Sequence, residues 1–235
     1  MNDGGFFSHG VDLLQQGGPA MYVLLAMSIG VVAIILAKLV QFGRLRLGDT
    51  ATLEHALQAL RGGDEAGAEK ILQGSPSPVA RVLETARATA KNPHLTPEDR
   101  DAQVSAQGAE ELGKLSSWLR SLELLGNLSP LVGLLGTVGG MIAAFAQLEL
   151  AGSQVDPSLL AGGIWEALLT TAFGLIVAIP AVAAFSLFEA RIDGVRRQMR
   201  SSAIRLMEYY AQDRAVRLQP EGRREGASVA TVAHA

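Results

Sequence analysis

Charged and apolar positions are not interleaved along this chain. Lys and Arg are absent from residues 1–37 and again from 121–190, so all 20 basic residues fall in 38–120 and 191–235. Between Asp12 and Lys38 lie 25 residues without a charge; a second uncharged run extends from Leu124 to Leu148, and a third from Ala167 to Phe188. At a rise of about 1.5 Å per residue, roughly 20 helical residues cross the roughly 30 Å of bilayer hydrocarbon. The pattern therefore predicts an all-α integral membrane protein with transmembrane helices at 19–41, 124–148 and 164–188, rather than a soluble bundle with buried helices.

The basic residues predict the orientation. Lys38, Arg44 and Arg46 follow the first run, Lys114 and Arg120 precede the second, and Arg191, Arg196, Arg197 and Arg200 follow the third. Basic flanks stay on the cytoplasmic side. The expected topology is N-out, C-in, with a periplasmic segment at 1–18, a cytoplasmic helical loop at 42–123, a periplasmic loop at 149–163, a cytoplasmic helix at 189–219 and a tail at 220–235. Asp3, Asp12, Glu149, Asp156 and Glu166 then lie on or at the edge of the outer side, where there is no base. A signal peptide opens with a positive region. The segment ahead of the first run has two acids and no base, so the first span is expected to be an uncleaved anchor.

Between the spans the periodicity is helical. Ala51 to Leu60 and Asp64 to Leu72 are short amphipathic stretches separated by Gly62-Gly63, and Val79 to Lys91 follows the break at 74–78. Thr96-Pro97-Glu98-Asp99 is a helix start: a hydroxyl cap, Pro in the first turn, and acids at the positive end of the dipole. No turn signal intervenes before Ser129-Pro130, which predicts one helix from about 97 into the second span. The third span is likewise expected to continue, through Glu189 to Leu218. Two long helices should thus extend into the cytoplasm. The tail, small and polar, is expected to be disordered.

The candidate chemistry is sparse. There is no cysteine, which excludes thiolate catalysis and cysteine metal sites, and His9, His55, His94 and His234 have no ligand spacing. No phosphate loop or serine-histidine-acid set occurs. An enzyme, a cofactor and a metal site are not expected.

The second and third spans are not plain anchors. Ser129, Gly133, Gly136, Thr137, Gly140 and Ala144 recur at spacings that place small side chains along one helical stripe, and Thr171, Gly174, Ala178 and Ala181 form a similar one, with Pro130 and Pro180 as candidate kinks. Small residues allow close helix approach. The composition leaves open whether the approaching helix is one of this chain's own spans or a partner's. Thr137 and Thr171 are mid-span hydroxyls, Thr170 lies about 100° around the helix from Thr171, and Glu166 sits one turn from Thr170 near the outer boundary. None of the three spans has Asp, Glu, His or Lys at its centre. A proton relay needs a titratable group, so a partner would have to supply the carboxylate.

Two segments carry a resemblance. Leu128-Ser-Pro-Leu-Val-Gly-Leu-Leu-Gly-Thr-Val-Gly-Gly-Met and Gly162-Gly-Ile-Trp-Glu-Ala-Leu-Leu-Thr-Thr-Ala-Phe-Gly-Leu-Ile-Val-Ala-Ile-Pro-Ala-Val are similar to the MotA/TolQ/ExbB proton channel family, with three spans favouring its ExbB and TolQ branch. The resemblance implies an inner-membrane pentamer enclosing the single spans of an ExbD- or TolR-like partner whose aspartate carries the ion, with work delivered to a TonB- or TolA-like protein. It maps pore residues onto Thr137, Thr171 and Glu166, and partner-helix packing onto Ser129, Gly133, Gly136, Gly140, Ala144, Gly174 and Ala178. Two positions depart from the family pattern. Gly139 stands where many relatives have Trp, and Thr170 where proton-driven relatives often have Ala, so the translocated ion is expected to be H⁺ with Na⁺ as the alternative. TonB-dependent import, a TolQ-like role in envelope integrity and division, and a passive scaffold are the candidate functions.

Overall fold

The computed structural model describes residues 18–45, 47, 51–151 and 157–218. The N-terminal segment, the centre of the loop at 149–163 and the tail at 220–235 lie outside them. The described residues form seven helices: α1 Gly18–Arg44, α2 Ala51–Arg61, α3 Glu65–Gln73, α4 Pro78–Lys91, α5 Pro97–Ser116, α6 Leu119–Ala151 and α7 Pro157–Leu218. No strand occurs among these residues, in agreement with the all-α expectation. Three stretches are long and apolar enough to cross a membrane, in α1, in α5–α6 and in α7.

The chain divides into two units, 1–41 with 116–191, and 42–115 with 192–235. In the first unit, α1, α6 and the first part of α7 leave apolar side chains outward, among them Ile29, Leu135, Ile176 and Ile179. Exposed apolar surface on that scale marks helices solvated by lipid or by other protein.

The second unit is built as a water-soluble domain is. Leu57 and Leu60 of α2, Leu72 of α3, Val79, Val82 and Leu83 of α4, and Met199 and Leu206 of α7 are buried. Three of its helices, α3, α4 and α5, start on capping side chains. Asp64 accepts a hydrogen bond from Gly67 N, Ser77 caps α4 with Pro78 in the first turn, and Thr96 Oγ1 accepts from Asp99 N at 3.1 Å. A groove of about 750 Å³ runs between α5 and the second part of α7, lined by Val104, Leu112, Met199, Ile204 and Met207 among others.

One expected continuity fails. The helix from 97 does not run unbroken into the second span but ends at Ser116, and α6 restarts at Leu119. Trp118 lies between them with φ +64°, a left-handed conformation that costs a residue with a Cβ about 1–2 kcal/mol. Its carbonyl accepts the first hydrogen bond of α6, from Leu122 N at 3.0 Å. The turn is held by a polar hook: Lys38, 2% exposed, donates from Nζ to Gln41 Oε1 at 2.8 Å and to Ser117 Oγ at 3.4 Å. The continuity of α7 through to Leu218 is as expected. Pro130 and Pro180 each sit inside an uninterrupted helix.

Candidate functional site

The site is the seam between α6 and α7. A Cβ on Gly133 would lie 2.9 Å from the Thr170 carbonyl oxygen and 3.2 Å from Thr171 Cα, and one on Gly174 would lie 2.7 Å from the Ser129 carbonyl oxygen. At Gly136 the neighbours would be Thr170 Cβ at 2.8 Å and Ala20 Cβ of α1 at 3.0 Å, and at Gly140 they would be Ala167 atoms from 3.5 Å. Gly163 meets Ala144 in the same way. These pairs advance along α6 as they retreat along α7, so the helices pack antiparallel with backbones in near contact. Only hydrogen side chains permit that approach.

The small-residue stripe is thus occupied within the chain. Ser129, Gly133, Gly136, Gly140 and Ala144 face α7, while Gly174 packs back onto Ser129 and Gly133. Ala178 and Ala181 are buried. The stripe of α7 that makes the seam includes Gly163, Ala167, Thr170 and Gly174 and continues to Ala181, which faces Gly126; of the expected stripe only Thr171 is displaced, by Thr170, to the edge. Their spacing of four, three and four was present in the sequence, but Thr171, paired with Gly174 and Ala178, gave an equally regular alternative.

The three hydroxyls have different environments. Thr170 is 1% exposed, and its Oγ1 donates to Ala167 O at 2.8 Å and approaches Gly133 O at 3.3 Å. Thr171 is half-buried at the edge of the seam, its Oγ1 3.5 Å from that same Gly133 carbonyl, at the outer limit of a hydrogen bond. Thr137, also half-buried, bonds back to its own helix at Leu134 O, 2.7 Å away. Thr171 lies against Gly133, so Thr137, four residues further along α6, stands about one helical turn, some 6 Å, from it in height. Ser129 is fully buried and donates to Leu125 O at 2.6 Å.

Glu166 lies one helical turn before Thr170 on α7. It is half-buried, and its Oε1 comes to 3.1 Å from where a Cβ on Gly18 would sit, beside the first turn of α1. Gly18 has φ +59°, which only glycine adopts readily. A carboxylate there faces the positive end of the α1 dipole. Gly139 points into open space, with nothing within 4 Å of a Cβ built on it. A large side chain at that position would point away from the seam. No cluster of potential metal ligands occurs among the described residues.

This is a polytopic helical membrane protein whose second and third spans are joined by a glycine seam, with two half-buried hydroxyls, Thr137 and Thr171, about one turn apart. Comparison with known proteins places it more closely. The chain belongs to the MotA/TolQ/ExbB proton channel family, whose model matches residues 75–201, a stretch that includes the whole seam. It is 40% identical over 98 residues to the biopolymer transport protein exbB1 of Vibrio cholerae, covering 40% of this chain and 43% of that one. A putative ExbB-like biopolymer transport protein of Synechocystis is 31% identical over 180 residues, 74% of this chain and 68% of its own. The Tol-Pal system protein TolQ of Pseudomonas aeruginosa is 44% identical over 92 residues, 39% and 38% of the two chains. The match spans less than half the length of the Vibrio and Pseudomonas relatives.

Proposed function

We propose that this chain is the ring-forming subunit of an ion-driven motor in the bacterial inner membrane, oriented N-out, C-in, five copies of which enclose the single spans of an ExbD- or TolR-like partner. The observation that carries this reading is the pair of half-buried hydroxyls, Thr137 and Thr171, about one turn apart in height in spans that contain no central acid. Such a lining offers oxygens to a passing proton but nothing to hold it, which fits a pathway completed by the partner's aspartate. Neutralised, that carboxylate tolerates apolar walls; recharged, it seeks the hydroxyls. Each elementary charge descending 100 mV releases about 2.3 kcal/mol, available to turn the partner's helices and so to pull on a TonB- or TolA-like protein for import across the outer membrane.

The buried position of Thr170 supports H⁺ over Na⁺. Its oxygen lies against Gly136 in the seam, so an ion passing at Thr171 gains no second ligand from it. Glu166, at the α1 terminus, acts in this reading at the rim of the pathway. A TolQ-like role in envelope integrity and division is the second reading, favoured by the similarity to TolQ of Pseudomonas aeruginosa, 44% identical over 92 residues beside 40% over 98 for the Vibrio relative.

The test is Thr171→Val against Thr170→Val, each expressed with the partner in a strain lacking the native subunit. Thr171→Val is expected to assemble normally and lose ion-driven uptake or envelope function, whereas Thr170→Val keeps most of it. Full function in Thr171→Val would overturn the pathway. Restored ferric-chelate uptake in the rescued strain identifies the import role, and restored detergent resistance the envelope role.

A further inference from the structure

The chain's two tryptophans, which the proposed pathway does not use, are both exposed. Trp118 is 69% and Trp165 59% open, far more than large apolar groups in a protein interior. They stand at opposite ends of the membrane unit. The contacts Gly163 with Ala144 and Gly140 with Ala167 place Trp165 level with about residue 142 of α6. From Trp118 to that level is 24 residues of helix, or about 36 Å. The hydrocarbon core is roughly 30 Å thick and the bilayer with its headgroups roughly 40–45 Å, so the two indoles are separated by the distance between the two interfacial zones. Trp favours that zone, where the ring is sheltered and the indole N–H remains hydrated.

Local chemistry agrees at each end. Beside Trp118 are Ser117, held by Lys38, and exposed Arg120, then the outward apolar row Leu124, Leu128 and Leu131. Bases at this level suit anionic headgroups. Beside Trp165 is Glu166, with outward Ile164 and Leu168 on the same helix. The left-handed backbone at Trp118 has no glycine to ease it, and the neighbouring Leu115, Leu119 and Leu122 are all buried while the indole is left outside.

We propose that Trp118 and Trp165 are paired lipid-interface anchors, each indole lodged among the headgroups and glycerol backbones of one leaflet, and that the turn between α5 and α6 serves to hold the Trp118 ring out to lipid. This rests on the membrane reading of the spans and not on the ion-motor reading. The full chain is reconstituted in vesicles of phosphatidylcholine and phosphatidylglycerol as two single-tryptophan forms, Trp165→Phe and Trp118→Phe. Emission is recorded with lipids brominated either high on the acyl chain or near its end, and with aqueous iodide. Both forms are expected to emit to the blue of a water-exposed indole and to lose more intensity to shallow than to deep bromines. Stronger quenching by deep bromines overturns the assignment, as does quenching by iodide alone. Insensitivity to every quencher also overturns it, since a second copy or another protein would then cover the ring. Should Trp118→Phe fail to fold, Trp118→Gly, suited to the left-handed backbone, isolates Trp165 instead, and the unaltered chain must show the same shallow preference.

Discussion

The two units of this protein solve the packing problem with opposite residues. In the membrane unit the α6–α7 seam is made of Gly133, Gly136, Gly140 and Gly174, and its buried polar groups, Ser129 and Thr170, donate to backbone carbonyls. In the other unit the contacts are Leu57, Leu72, Leu83 and Leu206, tied by ion pairs such as Arg81–Glu111 at 2.7 Å, Arg87–Glu69 at 3.0 Å and Lys91–Glu65. Lipid removes the hydrophobic gain from burying leucine, so close backbone contact and dispersion must hold the spans together. Water restores that gain, and large side chains become the better filling. One chain thus carries two packing rules that change with its surroundings.

The sharpest way to break that comparison is to make kindred substitutions at glycines in both units. Gly133→Leu places a side chain within 3 Å of the Thr170 backbone, which the helices can relieve only by separating. The expected cost is at or above the 1–3 kcal/mol usual for overpacking, read as loss of folded protein from detergent extracts and of all ion-driven function. Gly108 of α5 meets nothing within 4 Å of its Cβ position, and Gly108→Ala should stabilise its unit by about 0.5–1 kcal/mol through helix propensity alone. Gly139→Ala carries the same argument into the membrane, because it lies on α6 yet off the seam. Equal damage from Gly133 and Gly139 substitutions would dissolve the seam.

An intermediate effect is expected at Glu111. Its carboxylate, 2% exposed, accepts from Arg81 Nη1 at 2.7 Å, Lys114 Nζ at 2.9 Å and Gln107 Nε2 at 3.3 Å. Arg81→Met removes the shortest of these and leaves the acid under-solvated, at an expected cost of about 1–3 kcal/mol in chemical denaturation. Arg81→Met with Glu111→Leu should recover most of that loss, since apolar replacement of a buried pair is often neutral. Additive costs in the double variant would show that packing, not charge, is at stake.

Much of this was legible in the sequence, for physical reasons that also mark where it stopped. The spans were visible because a charge is too costly in hydrocarbon to be scattered there, and the start of α5 because Thr96-Pro97 is a local cap; Ser77-Pro78, legible only as part of a break, turns out to cap α4. The interruption at Ser117–Trp118 was not. No glycine or proline announces it, and it depends on Lys38, which is 79 residues distant. The choice of Thr170 over Thr171 for the interior of the seam was also hidden, because both stripes have helical spacing and only the facing glycines select one. The fit of Glu166 to Gly18 at the start of α1 has no sequence signature at all.

The smallest expected effect concerns a hydroxyl treated differently from those of the seam. Tyr210 is buried in the second unit, and its OH has no hydrogen-bond partner among the described residues, whereas its neighbour Tyr209 donates to Leu60 O at 2.6 Å. Burial, aided by the charge of Glu65, pushes the Tyr210 phenol up to about 12. A raised phenol favours the neutral form in the fold, so its contribution to stability is complete below the unfolded value near 10 and is lost as pH rises through about 12. Tyr210→Phe should leave stability at neutral pH unchanged or raise it by up to about 1 kcal/mol, because an unsatisfied buried hydroxyl is removed. It should also flatten the alkaline decline relative to the unaltered chain in melts run from pH 8 to 11. An equal alkaline decline in both proteins would mean that the phenol is solvated and that this unit, like the seam, leaves none of its buried hydroxyls without a partner.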